Sequence, residues 1–147
     1  MEDPNLVDIL VVEDNSSDAE LEVRVIRKHG ITNTIHVVED GAEALEFIFC
    51  RGAYASRDVS NLPKVIFLDL KMPKVNGMEV LKAVKSDERT RAIPVVIVTS
   101  SKEDQDVKTA YALGANSYVV KPVDFDAFSD AIGGAGVYWL RVNNPPF

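Results

Sequence analysis

Four short apolar runs, at residues 7–12, 64–70, 93–98 and 117–120, carry β-branched residues in succession rather than in alternation with polar ones. A strand that is apolar on both faces has to be covered on both faces, which is the situation of a parallel sheet with helices above and below it. A weaker run at residues 34–38 adds a fifth strand. With 147 residues, 46% of them hydrophobic, the chain can bury one sizeable core and is too short for two ordinary domains.

Helical spacing fills the intervals. Ser17 with Glu20, and Asp40 with Glu43, have the spacing in which a side chain accepts from a free amide of the first turn. The first helix, carrying Leu21, Val25 and Ile26, can stop at Gly30, and the second, carrying Leu45, Ile48 and Phe49, at Gly52. Further helices are predicted over residues 76–86 and 103–113 and from Phe125 onward, the last ending before Pro145 and Pro146. Strand and helix thus alternate five times, which predicts a single α/β domain of the flavodoxin-like (βα)5 type, a doubly wound five-stranded parallel sheet with right-handed crossovers. In such sheets ligands bind beyond the carboxyl ends of the strands.

Those ends read Glu13 and Asp14, then Asp69, then Thr99 and Ser100, then Lys121 and Pro122. Carboxylates gathered on one rim repel one another unless a cation sits among them, and Mg²⁺ favours such hard oxygen ligands together with phosphate oxygens. Asp69, backed by an apolar strand, can attack phosphorus as a nucleophile when a metal screens both charges. Lys121 supplies positive charge and Thr99 a hydroxyl donor for phosphoryl oxygens. Pro122 makes a cis Lys121–Pro122 peptide one arrangement that would aim the lysine into the site, although trans is the commoner form.

The segments VVEDN, FLDLKMPKVNG, VVIVTSS and GANSYVVKP, in that order, resemble the hallmark segments of the bacterial response-regulator receiver domain over roughly residues 6–135. The resemblance implies that Asp69 is the phosphoacceptor, that Glu13 and Asp14 with the backbone carbonyl of Lys71 hold Mg²⁺ beside it, and that Lys121 is the active-site lysine. It implies a switch pair, Thr99 binding the phosphoryl group and Tyr118 changing rotamer on the face formed by the fourth helix, fifth strand and fifth helix. Glu13 stands where many members have Asp, and Lys71 brings a cation to the site entrance. The segment at residues 51–62 and the ending YWLRVNNPP look similar to small single-domain regulators associated with bacterial phytochromes, which implies a phytochrome-type histidine kinase as phosphodonor. On this reading residues 1–137 form the receiver and 138–147 a C-terminal extension, with no output domain.

Other classes fit less well. A haloacid-dehalogenase-like phosphatase also uses a strand-end Asp, but needs a second acid two residues on, where this chain has Lys71. A flavodoxin-type carrier would need a glycine- and hydroxyl-rich phosphate loop after the first strand in place of Glu13 and Asp14. The net charge of -7 argues against nucleic-acid or membrane-surface binding. A single Cys50 excludes an intramolecular disulfide, and the acidic N-terminus is no signal peptide or membrane span, so the cytoplasm is the expected compartment. His29 and His36 are expected away from the rim, and Tyr111 is expected to pack the fourth helix. Val137, Tyr138, Trp139, Leu140 and Val142 form an apolar cluster beyond a minimal receiver, preceded by Gly133, Gly134 and Gly136, which permit close backbone approach. A homodimer through the final strand, final helix and extension is the expectation.

Overall fold

In a computed structural model, which describes residues 6–72, 74–121 and 124–147, five parallel strands form one sheet in the order β2-β1-β3-β4-β5. They are β1 (Ile9–Val12), β2 (Ile35–Val38), β3 (Val65–Leu68), β4 (Val95–Thr99) and β5 (Ser117–Val120). The five helices are α1 (Ser16–Lys28), α2 (Gly41–Ile48), α3 (Gly77–Ser86), α4 (Asp104–Ala112) and α5 (Phe125–Val137). The sheet alternation sorts the core into two layers. Leu10, Val12, Ile66, Leu68, Val95 and Ile97 face α2, α3 and α4, while Ile9, Val11, Val65, Phe67, Val96 and Val98 face α1 and α5.

Helix ends follow local chemistry, with two departures from the sequence expectation. Asn15, not Ser17, caps α1, its side chain accepting from the Asp18 N–H at 3.0 Å. Asn is as good a cap as Ser and stands one residue before the first helical turn. Asp40 and Asn76 cap α2 and α3 in the same way. The second helix closes at Phe49, ahead of Gly52, because Cys50 takes the left-handed conformation at φ 57°. Arg57, buried under residues 51–62, lies 3.9 Å over the Phe47 ring and donates to the Phe47 carbonyl and, at 2.9 Å, to that of Asn61. It fixes the long α2–β3 connection to α2.

Past α5 the chain continues into a π-helical turn, Tyr138–Val142. Here the close approach foreseen at the glycines is to the chain itself: a Cβ on Gly133 would strike the His29 ring and one on Gly136 would meet Ile31. Val137, Trp139 and Leu140 pack on the α1/α5 layer, while Tyr138 and Val142 stay exposed. Tyr111 is 49% exposed, so α4 is not packed by it; Ala110 is the residue that α4 buries. The Lys121–Pro122 peptide lies outside the described residues.

α1 also carries one carboxyl into the interior. Glu22 is 1% exposed, and its Oε2 has no hydrogen-bond partner among the described residues. Burial, followed by the charge of Glu13, pushes its pKa well above the usual carboxylate range. A raised acid pKa gives stability that is present at low pH and lost as pH rises, because the unfolded chain releases the proton first. Glu22→Gln should therefore stabilise the protein by on the order of 1–3 kcal/mol at pH 7 with chelator present, and by much less near pH 4, in urea unfolding.

Two loops depend on glycine where helices begin. A Cβ on Gly77 would fall 2.1 Å from the Asp69 carbonyl oxygen, and one on Gly41 would fall 1.7 Å from that of Val75. Gly77→Ala is expected to cost about 1–3 kcal/mol, as overpacking against backbone does, read as a shift in the denaturation midpoint.

Candidate functional site

The strand ends meet at one rim because the register is level there. Val12 of β1 pairs with Leu68 of β3 and with Val38 of β2, and Thr99 of β4 with Val120 of β5. The first residue past β1, β3 and β5 is then fixed by a neighbour's last carbonyl. Asp69 N–H donates to Val12 O at 3.0 Å, Glu13 N–H to Val38 O at 3.1 Å, and Lys121 N–H to Thr99 O at 2.7 Å.

One oxygen from each of Glu13, Asp14 and Asp69 lies within 4.8 Å of the other two. Glu13 and Asp69 are buried, whereas Asp14 is exposed. Burial pushes the Glu13 carboxyl upward; Lys121 pulls it back only in part, and Asp69 adds to the rise. The Asn15 N–H donates to Glu13 Oε2 at 3.3 Å, which fixes that side chain. Three hard oxygen donors at this spacing suit a small divalent cation.

Lys121 ties the rim together. Its Nζ lies 2.7 Å from Glu13 Oε1, 2.9 Å from Asp18 Oδ2 and 3.5 Å from Asp69 Oδ2. Burial works against the ammonium, but Glu13 and Asp18, joined by the charge of Asp69, outweigh it and raise its pKa above the usual lysine value. The lysine stays charged, and its neighbours define where an anion's oxygens could displace them.

Beside this cluster a pocket of about 420 Å³ opens between the loops, with Asp14, Lys71, Met72, Asn76, Met78 and Asp106 in its walls. Thr99 is fully buried at the end of β4, and its Oγ1 accepts from the Ser101 N–H at 3.4 Å. Tyr118 is half-buried and donates its hydroxyl to the Ser101 carbonyl at 2.8 Å. The two hydroxyl residues therefore meet through Ser101. His29 and His36 stand apart, bonded to Val25 O and to the Tyr54 hydroxyl respectively.

Sequence reasoning brought out Glu13, Asp14, Asp69, Lys71, Thr99 and Lys121 as residues near one another, and missed Asp18, Glu22 and Asp106. A signal existed for the first two. Asp18 and Glu22 stand four residues apart and so share a line along α1, four residues on from the strand-end Asp14, and Glu22 falls within the apolar stripe of Leu21, Val25 and Ile26. No comparable signal marks Asp106.

The family of response regulator receiver domains matches residues 9–133. The probable methanogenesis regulatory protein FilR2 of Methanothrix harundinacea is 39% identical over 145 residues, covering 99% of this chain and 90% of its own. Response regulator Rcp1 of Synechocystis is 33% identical over 94% of this chain and 92% of its own. The Mn²⁺-bound crystal structure of Rcp1 superposes with a TM-score of 0.86 over 95% of this chain and 98% of its own. The bacteriophytochrome response regulator RtBRR is 47% identical over 96% of this chain and 84% of its own, with a TM-score of 0.77. Nothing in these matches supports the phosphatase alternative. The five-stranded parallel sheet, the acidic rim with its lysine, and these likenesses together assign the chain to the response regulator receiver domain family.

Proposed function

We propose that Asp69 accepts a phosphoryl group from the phosphorylated histidine of a kinase and that Lys121, Thr99 and Tyr118 convert its arrival into a change of surface. The observation that carries this reading is Lys121 Nζ shared among Glu13, Asp18 and Asp69 at the edge of the three-carboxylate cluster. An Asp69 oxygen attacks phosphorus, the P–N bond to the histidine breaks as the P–O bond forms, and the electron pair returns to the leaving imidazole. Lys121 then exchanges its contact with the Asp69 carboxylate for one with a phosphoryl oxygen. Hydrolysis reverses the modification when water attacks phosphorus, releasing phosphate and restoring the carboxylate.

Glu13, Asp14, Asp69 and the Lys71 carbonyl are the groups that would hold Mg²⁺. The ion, when bound, offsets the mutual repulsion of donor and acceptor. Thr99 has its hydroxyl at the buried end of β4, from which it can donate to a phosphoryl oxygen; Tyr118, joined to it through Ser101, is the second member of the switch. Likeness to RtBRR, a bacteriophytochrome response regulator, favours a phytochrome-type histidine kinase as donor. Residues 1–137 act as the receiver, and 138–147 as an extension that also serves association. Its exposed Tyr138 and Val142, at 48% and 66%, with Phe147 at 47%, offer an apolar surface to a second copy. Among the described residues no helix is long and apolar enough to cross a membrane.

Acetyl phosphate with MgCl₂ should add one phosphoryl mass at Asp69 in the wild type and none in Asp69→Asn. Asp14→Ala should raise the Mg²⁺ needed for half-labelling by about tenfold or more, in line with the loss of a metal-site carboxylate. Unchanged labelling of Asp69→Asn refutes the acceptor assignment, and an unchanged Mg²⁺ requirement refutes the ligand set.

Sedimentation at tens of micromolar should find a dimer for the wild type and a monomer for the double substitution Tyr138→Ser with Val142→Ser. These side chains are exposed, so their replacement leaves the α1/α5 layer intact. A wild-type monomer, or a dimer that survives both substitutions, rules out the extension as the interface.

A further inference from the structure

α4 is held to the domain in a way the other helices are not. It buries only Ala110, whereas each of the other four helices buries four or five residues. Its N-cap, Glu103, makes no side-chain cap hydrogen bond, while Asn15, Asp40, Asn76 and Asp124 each cap their helices. The first turn is instead secured from outside, by the buried Ser101. Ser101 Oγ donates to Asp106 Oδ2 at 2.5 Å and accepts from the Glu103 N–H at 3.4 Å. The same residue gives its own N–H to Thr99 Oγ1 and its carbonyl to the Tyr118 hydroxyl. One residue therefore touches both members of the proposed switch and the start of α4.

Asp106 has a second exposure to the site. Its side of α4 forms a wall of the pocket that Asp14 and Lys71 also line. We propose that the Ser101–Asp106 hydrogen bond is a latch that holds the first turn of α4 while Asp69 is unmodified, and that a phosphoryl group on Asp69, beside that pocket, opens it by repelling the Asp106 carboxylate. The inference rests on Asp69 being the phosphoacceptor.

The physics favours a two-position device. A hydroxyl that donates to a carboxylate makes a charge-assisted hydrogen bond, stronger than one between neutral groups, so the closed state is well defined. A phosphoryl group brings about -1.5 to -2 of charge to Asp69, whose carboxylate lies within 4.8 Å of that of Asp14 in the pocket wall, and a partly enclosed pair of like charges is screened less than a pair in open solvent. Asp106 has somewhere to go: in the first turn of α4 a carboxylate remains favourable against the helix dipole even when turned to solvent. Release acts on the same joint from its other side, because a Thr99 hydroxyl that turns to the phosphoryl group alters the acceptor of the Ser101 N–H. A helix with one buried residue and no cap of its own is the element such a release would shift.

The latch can be tested by hydrogen exchange over residues 100–112, with and without acetyl phosphate and MgCl₂. Intact mass reports phosphoryl occupancy in each sample, and a thermal melt shows that each variant is folded. In the wild type, phosphorylation should speed exchange there by about fivefold. Ser101→Ala and Asp106→Ala remove the bond, and should start near the phosphorylated wild-type rate and change less than about twofold on labelling. Asp106→Asn keeps an acceptor for Ser101 but not the charge, and should start as protected as the wild type and likewise change less than about twofold. A purely structural role for Asp106 would instead leave Asp106→Asn responding in full, which overturns the charge-driven opening. Ser101→Ala or Asp106→Ala chains as protected as the wild type and still responsive overturn the latch itself. Failure of the acceptor reading shows separately, as a wild type that gains no phosphoryl mass, and the latch falls with it.

Discussion

The arrangement of this domain answers to one electrostatic constraint: three carboxylates lie within 4.8 Å of one another at the ends of β1 and β3. Like charges about 4 Å apart repel by about 1 kcal/mol in water and about 4 kcal/mol at the effective dielectric near a protein surface. Left uncompensated, that is a large share of the few kcal/mol by which a domain of this size is stable. Two responses are visible. Burial, with the neighbouring carboxylates, raises the pKa values of Glu13 and Glu22 against the opposing pull of Lys121 and so favours their protonated forms. Lys121 brings a cation from the far side of the sheet to Glu13, Asp18 and Asp69 together. Both responses are reversible, so a divalent cation or a phosphoryl group can alter the balance.

Bringing those charges to one point requires the sheet to be in register from β2 to β5. The backbone bonds from Glu13, Asp69 and Lys121 to the last carbonyls of adjacent strands do this without any side chain taking part. Loop placement then depends on close packing at two helix starts. Gly77 seats α3 directly on the Asp69 carbonyl, and Gly41 seats α2 on that of Val75, so the loop after β3 is clamped between two helix N-termini. Site geometry is a property of backbone contacts first and of side chains second.

That order explains what was legible in the sequence. Strand identity, helix order and the residues at strand ends are all local in the chain, and a parallel sheet turns strand ends into a rim by rule. Glu13, Asp69, Thr99 and Lys121 could be brought together on that basis alone. Two of the residues missed, Asp18 and Asp106, depend on a partner that periodicity does not name. Asp18 matters because Lys121, 103 positions away in sequence, reaches it. Asp106 matters because Ser101 and the pocket lie on one side of α4. The helix closure at Phe49 was misplaced for a related reason: Cys50 takes a positive φ that its residue type does not advertise. Likewise the apolar ending looked unpartnered because the cover it provides, Val137, Trp139 and Leu140 over the α1/α5 layer, is a tertiary fact.

The contrast between α3 and α4 decides which helix can carry a signal. α3 starts against the acceptor loop yet buries Val80, Leu81 and Val84, each worth roughly 1.5–3 kcal/mol of burial. A perturbation of the order of one hydrogen bond, about 0.5–1.5 kcal/mol, cannot move a helix so anchored. α4 buries Ala110 alone and leaves Tyr111 in solvent, so its position is held by terms of the same size as the bonds that Ser101 makes. An event at Asp69 therefore meets a stiff neighbour on the α3 side and a compliant one on the α4 side. The switch face is in this sense selected by the distribution of buried apolar surface, and the charged site supplies only the trigger.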